Sequence, residues 1–128
     1  MSEGIMDVKY SFKNLDAYKE AKNLVKVVYG LIEKFPKVET YALCDQLRRA
    51  VISIPSNIAE GSGRTSAKDQ AHFFEIAFGS LMEVHCQMDI ACDLGYINQT
   101  ELTQVEEQVR TIAAILSGLR RKCLSFTH

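Results

Sequence analysis

Residues Gln46 to Arg64 read QLRRAVISIPSNIAEGSGR, a helical pattern with a proline in its middle. Leu47, Ala50, Val51, Ile54 and Ile58 recur at steps of three and four, the spacing that gathers side chains along one edge of a helix. Arg49, Ser53, Ser56, Glu60 and Arg64 recur along the opposite edge. Such a segment packs its apolar edge against neighbours and presents its polar edge to solvent or to a partner. The stretch therefore points to a fold, while nothing in it specifies a reaction or a ligand.

Pro55 has no N–H for the Val51 carbonyl, and its ring crowds that carbonyl, at a typical cost of about 3 kcal/mol inside a helix. Ser53, Ser56 and Asn57 surround the break with short polar groups suited to freed backbone carbonyls or a water. The reading is a proline-kinked second helix. Its kink either wraps the helix around its neighbours or aims Asn57, Glu60 and Arg64 at another subunit.

Outward from this stretch, the same three-four step predicts helices over about 15–35, 39–62, 66–94 and 99–121. Pro36 ends the first, because the residue before a proline avoids the helical region, and Lys34 suits the negative end of that helix. Gly61 and Gly63 are expected to supply a left-handed cap for the second. Ser66 with Asp69 opens the third as a variant capping box, and Gly95 closes it. Within it Ala77, Gly79 and Ser80 form a small-residue patch for close approach of a helix from this chain or from another. Joints of a few residues force antiparallel neighbours, so the predicted architecture is an all-α, up-down-up-down four-helix bundle over 1–128, without a sheet.

The chain has 128 residues, 47% hydrophobic and 24% charged, as expected for one globular domain. No apolar run approaches the roughly 18 residues of a membrane span. The N-terminal MSEGIMDVKY lacks the pattern of a secretion signal, so a cytoplasmic location is expected. Cys44, Cys86, Cys92 and Cys123 include no Cys-x-x-Cys pair and read as small buried hydrophobes rather than metal or redox groups. A net charge of -1 conceals an asymmetry: residues 67–107 hold one Lys and eight acids, whereas residues 108–128 hold four basic groups and no acid. That basic end can steer anionic partners.

Catalytic and cofactor signals are fragmentary. EGSGR lacks the glycine spacing and the preceding strand of a phosphate-binding loop. His72 and Glu75 share a helix face, but in the reverse order of a di-iron Glu-x-x-His motif and without a second copy, so no metal is expected. Glu83 and Cys86 share a face while His85 points elsewhere, which leaves no nucleophile–base pair. Neither enzymatic activity nor a cofactor is predicted.

The run LRRAVISIPSNIAEGSGR, with AYKEAKNLVKVVYGLIEKFP before it and FFEIAFGSLMEVHCQMDIACDLGYI after it, resembles the bacterial four-helix-bundle family encoded by intervening sequences in 23S rRNA genes. That family is similar in turn to the accessory variability proteins of diversity-generating retroelements. The resemblance implies an antiparallel four-helix bundle and assembly into a homopentameric barrel. For the retroelement members it further implies binding of nucleic acid and a reverse transcriptase through basic surface; the intervening-sequence members have no settled biochemical activity. This chain departs from the retroelement pattern in its near-neutral charge.

Two expectations follow. In the first, the protein is an oligomeric RNA or ribonucleoprotein accessory factor that meets phosphates through Arg48, Arg49, Arg64, Arg110, Arg120, Arg121 and Lys122. In the second, it is a self-assembling structural or adaptor protein that binds another protein and no nucleic acid. Arg49, Ser53, Ser56, Asn57, Glu60 and Glu83 are the candidate subunit interface, and for Arg48 and Arg49 solvated charge, an ion pair to Glu60 or Glu83 of a neighbouring subunit, and RNA contact all remain open.

Overall fold

In the computed structural model, residues 12–125 are described. The N-terminal decapeptide, read above for a secretion signal, lies outside the described residues. Four α-helices occupy most of the remainder: α1 (Asp16–Ile32), α2 (Leu43–Ser62), α3 (Ala67–Asp93) and α4 (Gln99–Leu124). Short 3-10 turns at Phe12–Asn14 and Lys37–Glu39 precede α1 and α2, and there is no strand among the described residues. Each helix packs on the next in sequence, and α1 also packs on α4, so the four close into a bundle.

Side-chain pairs across the interfaces run in opposite numerical order. Between α2 and α3, Ser53 meets Ser80 while Gln46 meets Gln87. Between α3 and α4, Glu75 meets Arg120 while His85 meets Glu106. The core is the apolar edge read from sequence: Leu47, Val51, Ile54 and Ile58 of α2 are fully buried with Leu24, Val28, Leu81, Val84, Val105 and Ile112. On α3 the helical step from Ala77 and Leu81 admits either Phe73 or Phe74 as the core aromatic; Phe74 is buried, Phe73 is half-buried, and Ile76 is 38% exposed. A helix of 27 residues that keeps a strict inward edge drifts around its own axis, so one of two adjacent aromatics is favoured only by packing.

Several boundaries differ from expectation. The first helix ends at Ile32, and Lys34 lies beyond it, pairing with Glu101 of α4 instead of the last helical carbonyls. Phe35 is buried beside Tyr96, ring centroids 5.2 Å apart. The second helix starts four residues later than expected, because Pro36 holds extended backbone and opens the 3-10 turn at Lys37–Glu39. Glu39 accepts a hydrogen bond from the Tyr96 hydroxyl at 2.8 Å, which pushes that phenol's pKa up. The fourth helix continues to Leu124.

The caps show which glycines matter. Gly95 has φ +81, with Tyr96 N–H donating to Ala91 O and Gly95 N–H to Cys92 O, the Schellman pattern that ends α3. The expected left-handed cap at Gly61 and Gly63 is absent: Gly61 lies inside α2, and Gly63 has φ -90. Gly61 instead serves packing, since a Cβ there would lie 2.9 Å from Phe74 Cε1 and 3.1 Å from Phe73 Cβ. Ser66 caps α3 by accepting from the Asp69 N–H at 3.0 Å. At α4, Asn98 and Glu101 form a reciprocal capping box. Lys34 and then the Asn98 N–H hold the Glu101 carboxyl below its ordinary pKa.

Candidate functional site

Helix α2 remains helical through Pro55, which is buried. Beside it, the Asn57 side-chain amide donates to the Ser53 carbonyl at 2.8 Å and to Ser53 Oγ at 2.9 Å. Ser53 Oγ lies 2.8 Å from Ser80 Oγ of α3, so a short polar chain crosses the α2–α3 interface next to the proline. Ser53 and Asn57 of the candidate stripe are therefore half-buried and bonded within this chain, whereas Arg49, Ser56 and Glu60 are exposed. Glu83 is exposed too, and its carboxylate accepts from the buried Gln87 amide at 3.1 Å. The small-residue patch divides likewise: Ala77 is buried and Ser80 meets α2, but Gly79 faces outward with nothing within 4 Å of a Cβ.

The candidate basic residues fall into three places. Gln70 of α3 joins the end of α2 to the last turns of α4: its amide donates to the Arg64 carbonyl at 3.1 Å, and its Oε1 lies 3.6 Å from Cys123 Sγ. This brings Arg64 to the same end of the bundle as Arg120, Arg121 and Lys122; of these four only Lys122 lines the hollow of about 220 Å³ there, with Leu15, Phe74 and Leu119. Local partners temper two of these charges. Arg64 pairs with Glu60 at 2.5 Å and sits 4.5 Å from the Phe73 ring centroid, while Arg120 lies 3.5 Å from Glu75. Arg48 and Arg49 lie toward the other end, about 20 Å along α2 from Ser62 at the standard helical rise. Arg48 pairs with Asp45 at 2.9 Å. Arg110 stands exposed midway along α4.

A second basic group was not singled out from the sequence. Lys13, Lys19, Lys22 and Lys26 line a shallow hollow on α1. At helical spacing these lysines read as an ordinary solvated edge, and only the adjoining α2 makes that edge the wall of a groove. The groove, about 440 Å³, lies between α1 and α2 and includes Tyr18, Val25, Ile52 and Pro55.

The cysteines are all free. Burial raises the thiol pKa of Cys44 and Cys123, as befits small core residues, but Cys86 is exposed on α3, contrary to the expectation that all four are buried. Among the described residues no three His, Cys, Asp or Glu side chains gather as a metal site. His72 edges against Phe73, and His85 contacts Glu106 at 3.0 Å. No helix of the described chain is long and apolar enough to cross a membrane.

These features define an all-α four-helix-bundle protein. The family model of the 23S rRNA-intervening sequence protein matches residues 13–118, and the chain belongs to that family. Among curated proteins, none matches the sequence.

Proposed function

We propose that this chain is a non-enzymatic, cytoplasmic accessory protein that acts as a homo-oligomer and binds RNA or a ribonucleoprotein through the basic end of its bundle. The observation that supports the reading is that Arg64 lies at the same end of the bundle as Arg120, Arg121 and Lys122, where Gln70 bridges the Arg64 carbonyl and Cys123. Cations gathered at one end neutralise several phosphates together, which separate surface charges do not. The intervening-sequence description of the family agrees with an RNA setting but names no ligand. A pentamer, implied by the resemblance, repeats the basic end around a ring.

Filter binding of the full chain to structured RNA tests this. Binding is expected to weaken steeply between low and moderate salt and to be lost in the triple variant Arg120→Ala, Arg121→Ala, Lys122→Ala. A chain that assembles by light scattering yet retains no RNA at low salt supports the second reading, an adaptor that binds protein. One observation favours that reading: Ile76, Met82, Ile90 and Leu94 are exposed apolar side chains along α3 and its end.

A further inference from the structure

The groove between α1 and α2 combines an apolar floor with a basic edge. Its floor is apolar, built from Tyr18 and Val25 of α1 with Ile52 and Pro55 of α2. Ile52 is 42% exposed and Tyr18 and Val25 are half-buried, while Pro55 is buried, so the floor is accessible mainly at Ile52 and the half-buried Tyr18 and Val25. The Tyr18 ring is held by an edge contact with Phe12, centroids 4.8 Å apart at 75°, and the Lys22 ammonium lies 5.4 Å from the Tyr18 centroid. Lys22 and Lys26 line both the groove and the neighbouring hollow, which Lys13 and Lys19 complete. Lys19, Lys22 and Lys26 follow the three-four step and so form a ridge along one side of α1. Among the described residues no acid lines either hollow: Asp16 and Glu20, the acids of α1, are absent from both.

We propose that this groove binds a single strand of nucleic acid, with an unpaired base laid against Tyr18 on the apolar floor and the adjoining phosphates on the Lys19–Lys22–Lys26 ridge. An aromatic platform beside a cationic track is the arrangement by which proteins hold single strands without reading sequence. A duplex hides the flat faces of its bases and gains nothing from the floor, whereas an unpaired base is flat and apolar and carries its phosphate within a few ångströms. An acidic peptide satisfies the lysines but leaves the floor unused. The proposal rests on the nucleic-acid reading above and places a further contact between α1 and α2, on residues other than the α4 tail.

Fluorescence anisotropy with a short labelled single-stranded oligouridylate, on the full chain over a salt series, tests it. Lys19→Ala, Lys22→Ala and Lys26→Ala together are expected to reduce the slope of log affinity against log salt by about 2, from about 0.7 per lost phosphate contact on a single strand. Tyr18→Leu keeps an apolar side chain and is expected to weaken binding on the order of tenfold with the salt slope unchanged. Circular dichroism identifies any variant that has lost its helices, and the lysine ridge, being exposed, supplies variants that keep the fold. A ridge variant that binds as tightly as the unaltered chain, while the Arg120–Lys122 variant does not bind, overturns the groove and leaves the accessory-factor reading intact. Failure of the unaltered chain to bind either strand or duplex overturns both. A duplex bound more tightly than the strand, or polyglutamate competing equally, also overturns the groove.

Discussion

Gly61 of α2 stands so close to Phe74 of α3 that a Cβ on the glycine would lie 2.9 Å from the ring. The helices are pinned there by the absence of a side chain, at the end of the bundle where the basic residues gather. Gly61→Ala is expected to destabilise the fold by about 1–3 kcal/mol in urea denaturation, because overpacking outweighs the better helix propensity of alanine. Gly79→Ala has the opposite sign: with open space around it, the change is expected to stabilise by about 0.5–1 kcal/mol. Equal effects at the two positions would contradict the packing described.

Gln87 is 7% exposed, and its Oε1 has no hydrogen-bond partner while its amide donates to Gln46 and Glu83. An orphaned acceptor costs about 1–3 kcal/mol, which offsets most of what the two donated bonds contribute. Gln87→Leu is therefore expected to change stability by less than about 1 kcal/mol, whereas Gln87→Ala, which opens a cavity, costs more. Denaturant midpoints of the two variants separate these outcomes.

Glu101 links α1 to α4 through Lys34 and caps its own helix through Asn98. Its pKa is lowered in the folded chain, so the stabilisation is complete above its unfolded value of about 4.3 and is lost as pH falls through the lower folded value. Glu101→Gln is expected to melt below the unaltered chain at neutral pH, and the gap is expected to close in strong acid. A gap independent of pH would show that the carboxylate charge contributes nothing.

Thiol reactivity should separate the cysteines. Cys86 is exposed, while Cys44 and Cys123 are buried with raised pKa values. Alkylation under native conditions is expected to modify Cys86 first and the buried pair only on unfolding, as mass spectrometry of partial digests would show. The raised thiol pKa values also predict falling stability above about pH 8.5, where unfolded thiols ionise and the buried ones do not.

Much of the bundle was legible residue by residue. The apolar edge of α2, the Ser66 cap and the Gly95 terminus each follow from local rules, because helical spacing and backbone conformation act within a few residues. The Asn98–Glu101 box was equally legible as Asn followed three residues later by Glu, although the helical step alone placed the start of α4 only at about residue 99. Gly61 was misread because a glycine near a helix end resembles a cap, and only the neighbouring helix shows that close approach is its purpose.

The amino-acid order by itself determined that four amphipathic helices form and which edge of α2 is buried, since those properties depend on neighbours one turn away. The up-down-up-down order already set Arg64 at the same end as Arg120, Arg121 and Lys122, with Arg48 and Arg49 apart. Tertiary packing alone decided that Arg120 meets Glu75. It alone made a plain row of α1 lysines into the wall of an apolar groove. Charges on different helices have no spacing in common, so their pairing exists only once burial of the shared core has fixed how the helices pack.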